Sequence, residues 1–209
     1  MNALTWNVVV AGRWNTAILT PAGIATRVFR LPVGTPVEVH VPMDGVAPHR
    51  VVHNACVATV SSDRLIIEPS AATPDSLVLA MRFAVNAIES LPETPLTAAG
   101  YNVRFGSEGD STDLLELTSI ALDKSVSDAG FSIKGRATKR TLEIEPGVVN
   151  LEITSHQDGN VLVGLNFHLQ SQDPDSLKAW LQISPAELSA QIASLVATLG
   201  QTYIGSQDD

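Results

Sequence analysis

The chain has 209 residues, of which 44% are hydrophobic and only 17% charged, and this composition excludes an intrinsically disordered protein. It is long enough to bury a substantial core. Lys and Arg number 13 against 22 Asp and Glu. The resulting net charge of −9 argues against binding to nucleic acid or to an anionic membrane, because phosphate contacts require clustered basic residues.

The cysteine content and the hydropathy pattern indicate the compartment. A single cysteine, Cys56, excludes an intrachain disulfide framework and most cysteine-based metal sites. The first residues lack the basic region and apolar run of a signal peptide, and no stretch approaches the ~18 uninterrupted apolar residues of a membrane span. We therefore expect a soluble protein of a reducing compartment, the cytoplasm.

The first 70 residues are rich in β-forming side chains, and turn-forming residues separate their apolar runs. Six strands are predicted there, the second of them the weakest, over residues 4–11, 16–19, 24–31, 37–41, 50–60 and 65–68. In 37–41, Val alternates with Glu38 and His40. This alternation predicts three buried valines and two exposed polar residues.

Apolar residues three and four positions apart predict an amphipathic helix over residues 74–91. Its apolar stripe consists of Leu77, Met81, Ala84, Val85, Ile88 and Leu91, and Pro92 ends the helix. A strand over 96–105 follows. The polar, glycine-containing residues 106–110 then predict a connection between two halves of the chain.

The second half contains the clearest patterns. A short helix is predicted over 113–122, where Asp113 and Glu116 have capping-box spacing. Three strands follow over 131–145, 148–155 and 160–170, with hairpins at Pro146-Gly147 and Asp158-Gly159. The chain closes with helices over 174–181 and 185–199, the second beginning at the capping box Ser184-Pro185-Ala186-Glu187.

The tetrapeptide Pro-Asp-Ser-Leu occurs twice, at 74–77 and at 174–177. In each copy Thr73 or Asp173 is placed to cap a helix whose first residue is proline, so the repeat marks two similar helix starts. The flanking letters do not align, and an internal duplication or two similar helix starts on an unduplicated fold would both explain it.

Hairpin strands followed by helices, without regular βαβ alternation, predict an α+β fold. We expect an antiparallel or mixed sheet with the two main amphipathic helices packed on one face. The predicted units are 1–106, closed by the helix 74–91 and the strand 96–105, and 107–209, closed by the helices 174–181 and 185–199. The two units could also form one continuous domain.

No sequence motif identifies a catalytic, cofactor-binding or metal-binding residue. His49, His53 and Cys56 are too far apart on one strand to share a metal, and only a turn near Asn54 would bring them together. The acidic group Glu108, Asp110, Asp113 and Glu116 suits a helix N-terminus better than a cation site. His156 and His168 have no nucleophile nearby in the sequence.

Two groups of residues are candidates for protein contacts. Arg13 and Trp14 lie in a turn between predicted strands, where a partly exposed tryptophan beside an arginine is typical of a binding hot spot. A basic group comprises Lys134, Arg136, Lys139 and Arg140. On a strand, Lys139 would face away from the other three, and their charges would protect a sheet edge from unwanted pairing or, alternatively, bind an anion or an acidic partner.

The sequence favours a soluble, non-enzymatic protein-protein interaction or assembly module that binds a protein partner or itself. Low charge density, β-rich halves and the absence of catalytic motifs support this hypothesis. A homodimer or larger assembly is expected, with Glu108–Glu116 or the Asp208-Asp209 tail as acidic counterparts of the basic strand. Two alternatives stay open, a small-molecule binding protein with an apolar pocket between helix and curved sheet, and an enzyme without a local signature.

Overall fold

The computed structural model describes residues 1–43, 47–107 and 112–202. Their strands are β1 (Asn2–Gly12), β2 (Glu38–His40), β3 (Arg50–His53), β4 (Cys56–Val60), β5 (Arg64–Pro69), β6 (Leu96–Ser107), β7 (Gly135–Ile144), β8 (Gly147–His156) and β9 (Val161–Gln170). Their helices are α1 (Pro21–Arg27), α2 (Pro74–Ser90), α3 (Thr112–Thr118), α4 (Ala121–Asp128), α5 (Pro174–Leu181) and α6 (Pro185–Ala197). No helix in these ranges has the length and apolarity that crossing a membrane requires.

The nine described strands form one antiparallel sheet, in the order β2-β3-β4-β5-β1-β6-β9-β8-β7. β1 and β6 pair at its centre, where Val8 lies opposite Tyr101. On the other side of each central strand lies a strand that a Pro-Asp-Ser-Leu helix follows, β5 beside β1 and β9 beside β6. The neighbour order thus repeats when the sheet is divided between β1 and β6, a division that places β6 with β7–β9 and not in the predicted unit 1–106. The origin of the two halves by duplication stays a prediction.

The predicted α+β fold is confirmed, with the helices packed on one face of the sheet. That face carries the alternate strand residues that are buried, including Val8, Ile67, Tyr101 and Phe167. α2 covers β1 and β5 with a stripe that includes Leu77, and α5 and α6 pack beside it. We call the opposite side, which no described helix covers, the open face.

The predicted starts of α2, α5 and α6 are also confirmed. Thr73 accepts a hydrogen bond from the Ser76 backbone N–H at 3.3 Å, and Asp173 accepts one from the Ser176 N–H at 3.0 Å. Each side chain satisfies an N–H group that has no partner within its helix. The capping box of α6 is complete, since Ser184 accepts from the Glu187 N–H while the Glu187 carboxylate accepts from the Ser184 N–H.

Two predicted strands in the first half are wrong. Residues 24–31 lie partly in helix α1, because Thr20 caps its N-terminus and Pro21 occupies its first turn. Ile24 and Val28, four residues apart, are buried together in the core. Residues 16–19, the weakest predicted strand, form a turn.

The predicted strand 50–60 is instead the hairpin β3–β4. Asn54 and Ala55 adopt positive φ angles of 46° and 56° and form its two-residue turn. The prediction of three buried valines in 37–41 is wrong at Val41, which is 73% exposed, and Val37 and Val39 are only half-buried.

The second half differs from its predicted bounds in three places. The short helix predicted over 113–122 is two helices, α3 and α4. The strand predicted from residue 131 begins only at Gly135. Residues 106 and 107 of the predicted connection belong to β6, and the rest of it lies outside the described residues. Both predicted hairpins are present, although the first turns at Glu145-Pro146, so that Gly147 already pairs with Ile144.

Candidate interaction surface

The two edges of the sheet differ in length. One edge is β2, which has three residues, and the other is β7, which has ten. Every second residue of β7 is exposed, from Gly135 to Glu143. A long edge strand presents a row of backbone donors and acceptors that another strand can pair with. β7 is therefore the principal free edge among the described strands.

The hydrogen bonds of β7 fix which of its residues point outward. The backbone N–H of Gln157 donates to the carbonyl oxygen of Lys134 at 3.1 Å, just before β7 begins. In an antiparallel pair, residues that bond to the neighbour alternate with residues that do not. The even-numbered residues of β7 consequently bond towards β8. The N–H and C=O groups of the odd-numbered residues, 135 to 143, point away from the sheet.

The four basic residues predicted to guard this edge divide between the two faces, and each has its own partner. Arg136 donates from Nε to Asp123 of α4 at 2.5 Å, on the helix-covered face. Lys139 lies on the open face, 3.2 Å from the carboxylate of Glu152. Lys134 donates to the side chain of Gln157 at 2.9 Å, and Arg140 donates to the carbonyl oxygen of Lys139 at 2.8 Å.

A row of hydrogen-bonded side chains crosses the open face and ends at this edge. The row runs over five strands and consists of Asn7, Asn102, Asn166, Asn150 and Thr141. Its four hydrogen bonds measure 2.7–3.0 Å. The sequence contained a weak signal for this row, an asparagine at an outward position of four different strands, but gave no indication that these strands are neighbours.

A depression of about 350 Å³ lies along the row. Arg104, Lys139 and Glu152 bring charges to its rim. The open face thus has a polar centre that is half buried among its own side chains, whereas its boundary at β7 is charged and exposed.

Four large apolar side chains in residues 117–131, the segment that contains the end of α3 and all of α4, are exposed. They are Leu117, Ile120, Leu122 and Phe131, of which Leu122 is 60% and Phe131 70% exposed. α4 buries none of its residues, and the ion pair between Asp123 and Arg136 links it to the sheet. Large apolar side chains grouped at the surface mark contact sites more often than isolated ones do.

Trp14 does not offer the exposed surface that the sequence predicted. Its side chain is only 4% exposed, and its indole N–H donates to the carbonyl oxygen of Val10 at 3.0 Å. The turn that carries it folds back over the core instead of projecting into solvent. Arg13 is exposed. It follows β1, which three strands separate from β7, so the two predicted contact groups lie about 19 Å apart or more.

The turn at Asn54 brings His53 directly opposite Cys56, as the sequence required for any metal site there. His53 instead packs against Phe29, with ring centroids 5.3 Å apart. Burial raises the pKa of the Cys56 thiol to about 11, so the thiol stays protonated and is a poor metal ligand. No group of three metal-binding side chains occurs in the described residues. Of the acidic group, Asp113 and Glu116 are exposed on α3, whereas Glu108, Asp110 and Asp208-Asp209 lie outside those residues.

A second concave region lies between α5, α6 and the sheet. It is a crevice of about 590 Å³ whose lining includes Tyr101, Leu169, Trp180 and Gln191. Tyr101 stacks on Phe167 at 4.6 Å, and its hydroxyl donates to Gln191 at 3.3 Å. The buried indole nitrogen of Trp180 has no hydrogen-bond partner among residues 1–43, 47–107 and 112–202.

Comparison with known proteins gives no functional assignment. The chain matches no protein-family model and no curated protein sequence.

Proposed function

We propose that this chain is a soluble, non-enzymatic module that assembles with another protein chain through the β7 edge, the partner being a second copy or a different protein. One observation carries the proposal. A ten-residue strand ends the sheet with its odd-numbered N–H and C=O groups pointing outward. Addition of a strand to such an edge is a common way in which proteins recognise each other.

The surroundings of β7 support the same role. The exposed apolar side chains of residues 117–131 belong to the segment that packs on this side of the sheet, since α3 contacts both β7 and β8 and Asp123 of α4 pairs with Arg136 of β7. We expect a chain that pairs with β7 to contact this segment with its own side chains. Backbone pairing would then supply affinity, and the apolar contacts would supply specificity.

Substitution of Thr141 by proline tests the proposal. The N–H of Thr141 points outward, so proline removes a donor for the partner and none that β8 uses. We expect native mass spectrometry and sedimentation to show an assembly for the unaltered chain and loss of assembly for T141P. Circular dichroism checks that T141P is folded.

Arg13→Glu is the matched control, because Arg13 is exposed but remote from β7. It should leave the assembly intact. Loss of association in R13E but not in T141P would contradict the proposal and place the contact at the turn after β1.

The crevice beside Trp180 favours a second candidate function, the binding of a small apolar molecule. Its aromatic wall, formed by Tyr101 and Trp180, suits a flat apolar ligand. The same native mass spectra distinguish the two functions. A monomer that carries a bound small molecule would contradict assembly, and loss of that molecule in Trp180→Ala would place it in the crevice.

The proposal includes the cytoplasm as the compartment and excludes nucleic acid as a partner. The only cysteine, Cys56, is 1% exposed, so the chain has no thiol pair that an oxidising compartment would join. The net charge of −9 would repel nucleic acid. Localisation of a tagged chain by fluorescence microscopy tests the first statement, and a nucleic-acid gel-shift assay tests the second.

A further inference from the structure

We propose that two copies of this chain pair through their β7 strands, antiparallel about a twofold axis at Thr141, to form one continuous sheet of eighteen strands, two sets of nine. This inference rests on the proposed function and specifies its partner as a second copy. In the proposed dimer, Thr141 faces Thr141 of the partner subunit, and residues 138–144 of the two strands overlap.

The direction of the backbone groups restricts the possible registers. Only the odd-numbered residues of β7 present free N–H and C=O groups. In an antiparallel pair of identical strands, the sequence numbers of facing residues have a constant sum. That sum must be even for odd residues to face odd residues. The twofold axis therefore passes through a residue of β7 and never between two residues.

Charge selects the axis at Thr141. There, Lys139 faces Glu143 of the partner subunit, and Glu143 faces the partner's Lys139, so two cross-strand ion pairs form on the open face. Glu143 is exposed and makes no ion pair within residues 1–43, 47–107 and 112–202. Its carboxylate is therefore free to pair with Lys139 of the partner subunit. Opposite charges that face each other across two strands stabilise the strand pair.

The neighbouring registers are less favourable. An axis at Lys139 or at Arg140 places two like charges directly opposite each other, which destabilises a strand pair. An axis at Leu142 leaves only residues 140–144 in register, so fewer backbone groups are paired. An axis at Thr138 places Arg136 opposite Arg140 of the partner subunit. The axis at Thr141 keeps residues 138–144 in register and places no like charges opposite each other.

Apolar contacts on the helix-covered face also favour the register with its axis at Thr141. Leu142 and Ile144 are partly buried within one subunit and lie at the end of the apolar surface of β7. In the dimer, the methylene groups of Arg140 cover Leu142 of the partner subunit, and Thr138 covers the partner's Ile144. On the open face, the row from Asn7 to Thr141 meets the equivalent row of the second copy at the axis.

Single cysteines at two positions of β7 test the register. Facing residues of a hydrogen-bonded pair have Cα atoms about 5.5 Å apart, within the range of a disulfide, so Thr141→Cys should cross-link under mild oxidation. Ala137→Cys is the matched control, exposed on the same strand. Its two copies would lie about 27 Å apart and should not cross-link. The native Cys56 does not interfere, because it is buried.

Reversal of one charge gives an independent readout. In the unaltered chain, high salt should weaken dimerisation, because exposed ion pairs are screened. Glu143→Lys would place Lys139 opposite a lysine, so it should weaken dimerisation roughly tenfold at low salt. Its affinity should then rise with salt instead of falling. Sedimentation equilibrium at low and high salt measures both effects.

The possible outcomes separate this inference from the proposed function. Cross-linking of T141C but not of A137C, together with the reversed salt effect of E143K, supports the twofold pairing. Association that T141P abolishes, without the T141C cross-link, would overturn the register and leave the β7 edge as the contact. A monomer at micromolar concentration in low salt would overturn self-pairing. Association that T141P leaves unchanged would overturn the proposed function itself.

Discussion

Asn102 and Asn166 lie directly opposite each other on β6 and β9, and Nδ2 of Asn166 donates a hydrogen bond to Oδ1 of Asn102 at 2.8 Å. Asn102 in turn donates to Oδ1 of Asn7, and Asn150 donates to Oδ1 of Asn166. All these amides point their donors towards β1. Asn102 and Asn166 therefore each make two hydrogen bonds in the row, one as donor and one as acceptor.

The first prediction follows from the bond that these two residues share. Asn102→Ala and Asn166→Ala each remove two hydrogen bonds of the row, so each should lower the free energy of unfolding by about 1–3 kcal/mol. The double variant loses three bonds instead of four. In urea unfolding, the double variant should therefore lower the free energy of unfolding by about 0.5–1.5 kcal/mol less than the two single variants added together. Strictly additive effects would show that the row is not coupled.

The second prediction concerns the attachment of α4. Asp123→Ala removes the ion pair with Arg136, and α4 has no buried residue to hold it in place. We expect hydrogen exchange at the amides of 121–128 to accelerate, while the free energy of unfolding changes by about 1 kcal/mol or less. Asp128→Ala, exposed on the same helix, is the control and should leave exchange unchanged. Unchanged exchange in D123A would mean that other contacts hold α4.

The third prediction contrasts the two caps of the Pro-Asp-Ser-Leu helices. Hydrogen bonds from Ser176 and Asp175 lower the pKa of Asp173 from 3.8, whereas the cap at Thr73 is uncharged. Because the pKa of Asp173 is lower in the folded than in the unfolded state, its stabilisation is present above about pH 4 and is lost as the pH falls through the folded value.

Thermal unfolding measured from neutral to acid pH compares the charged cap at Asp173 with the uncharged cap at Thr73. Asp173→Ala should lower the Tm near neutral pH, and this effect should disappear as the pH falls through the pKa of Asp173 in the folded state. Thr73→Ala should lower the unfolding free energy by about 1 kcal/mol both at neutral and at acid pH. A pH-independent effect of D173A would exclude the charged cap as its origin.

The fourth prediction concerns Cys56. Its thiol is buried, and burial raises its pKa to about 11, so the reactive thiolate is scarce at neutral pH. A thiol reagent such as DTNB should therefore react slowly with the folded protein and rapidly after addition of urea. The reaction rate at increasing urea should follow the unfolding transition. Fast reaction of the folded protein would show that β4 opens locally.

Sequence periodicity predicted the helices α2, α5 and α6 and the hairpins of the second half, because each has a local signal such as a cap, a proline or an Asp-Gly turn. It failed at α1, where Ile24, Val28 and Phe29 are β-forming residues that tertiary packing holds in or beside a helix. The Thr20-Pro21 pair was a usable helix-start signal there. The turn at Asn54-Ala55 lacks the glycine or proline that usually marks such a turn.

The candidate surface was predictable only in part. The charges of β7 indicated an edge strand, and the structure places β7 at an edge. The sequence did not reveal that Arg136 is engaged by Asp123, because their contact depends on how α4 returns over the sheet. Nor could it reveal the asparagine row, which depends on the pairing of strands from both halves.

The central pairing of β1 with β6 has a consequence for synthesis of the chain. The hydrogen-bond donor to Asn7 is Asn102, which is synthesised 95 residues later. Until β6 has left the ribosome, β1 is an unprotected edge of a half-built sheet, because the backbone groups that pair with β6 in the finished protein have no partner strand. Contacts between such distant residues slow folding. A nascent chain stalled before residue 96 should therefore recruit chaperones that a chain stalled after β9 no longer needs.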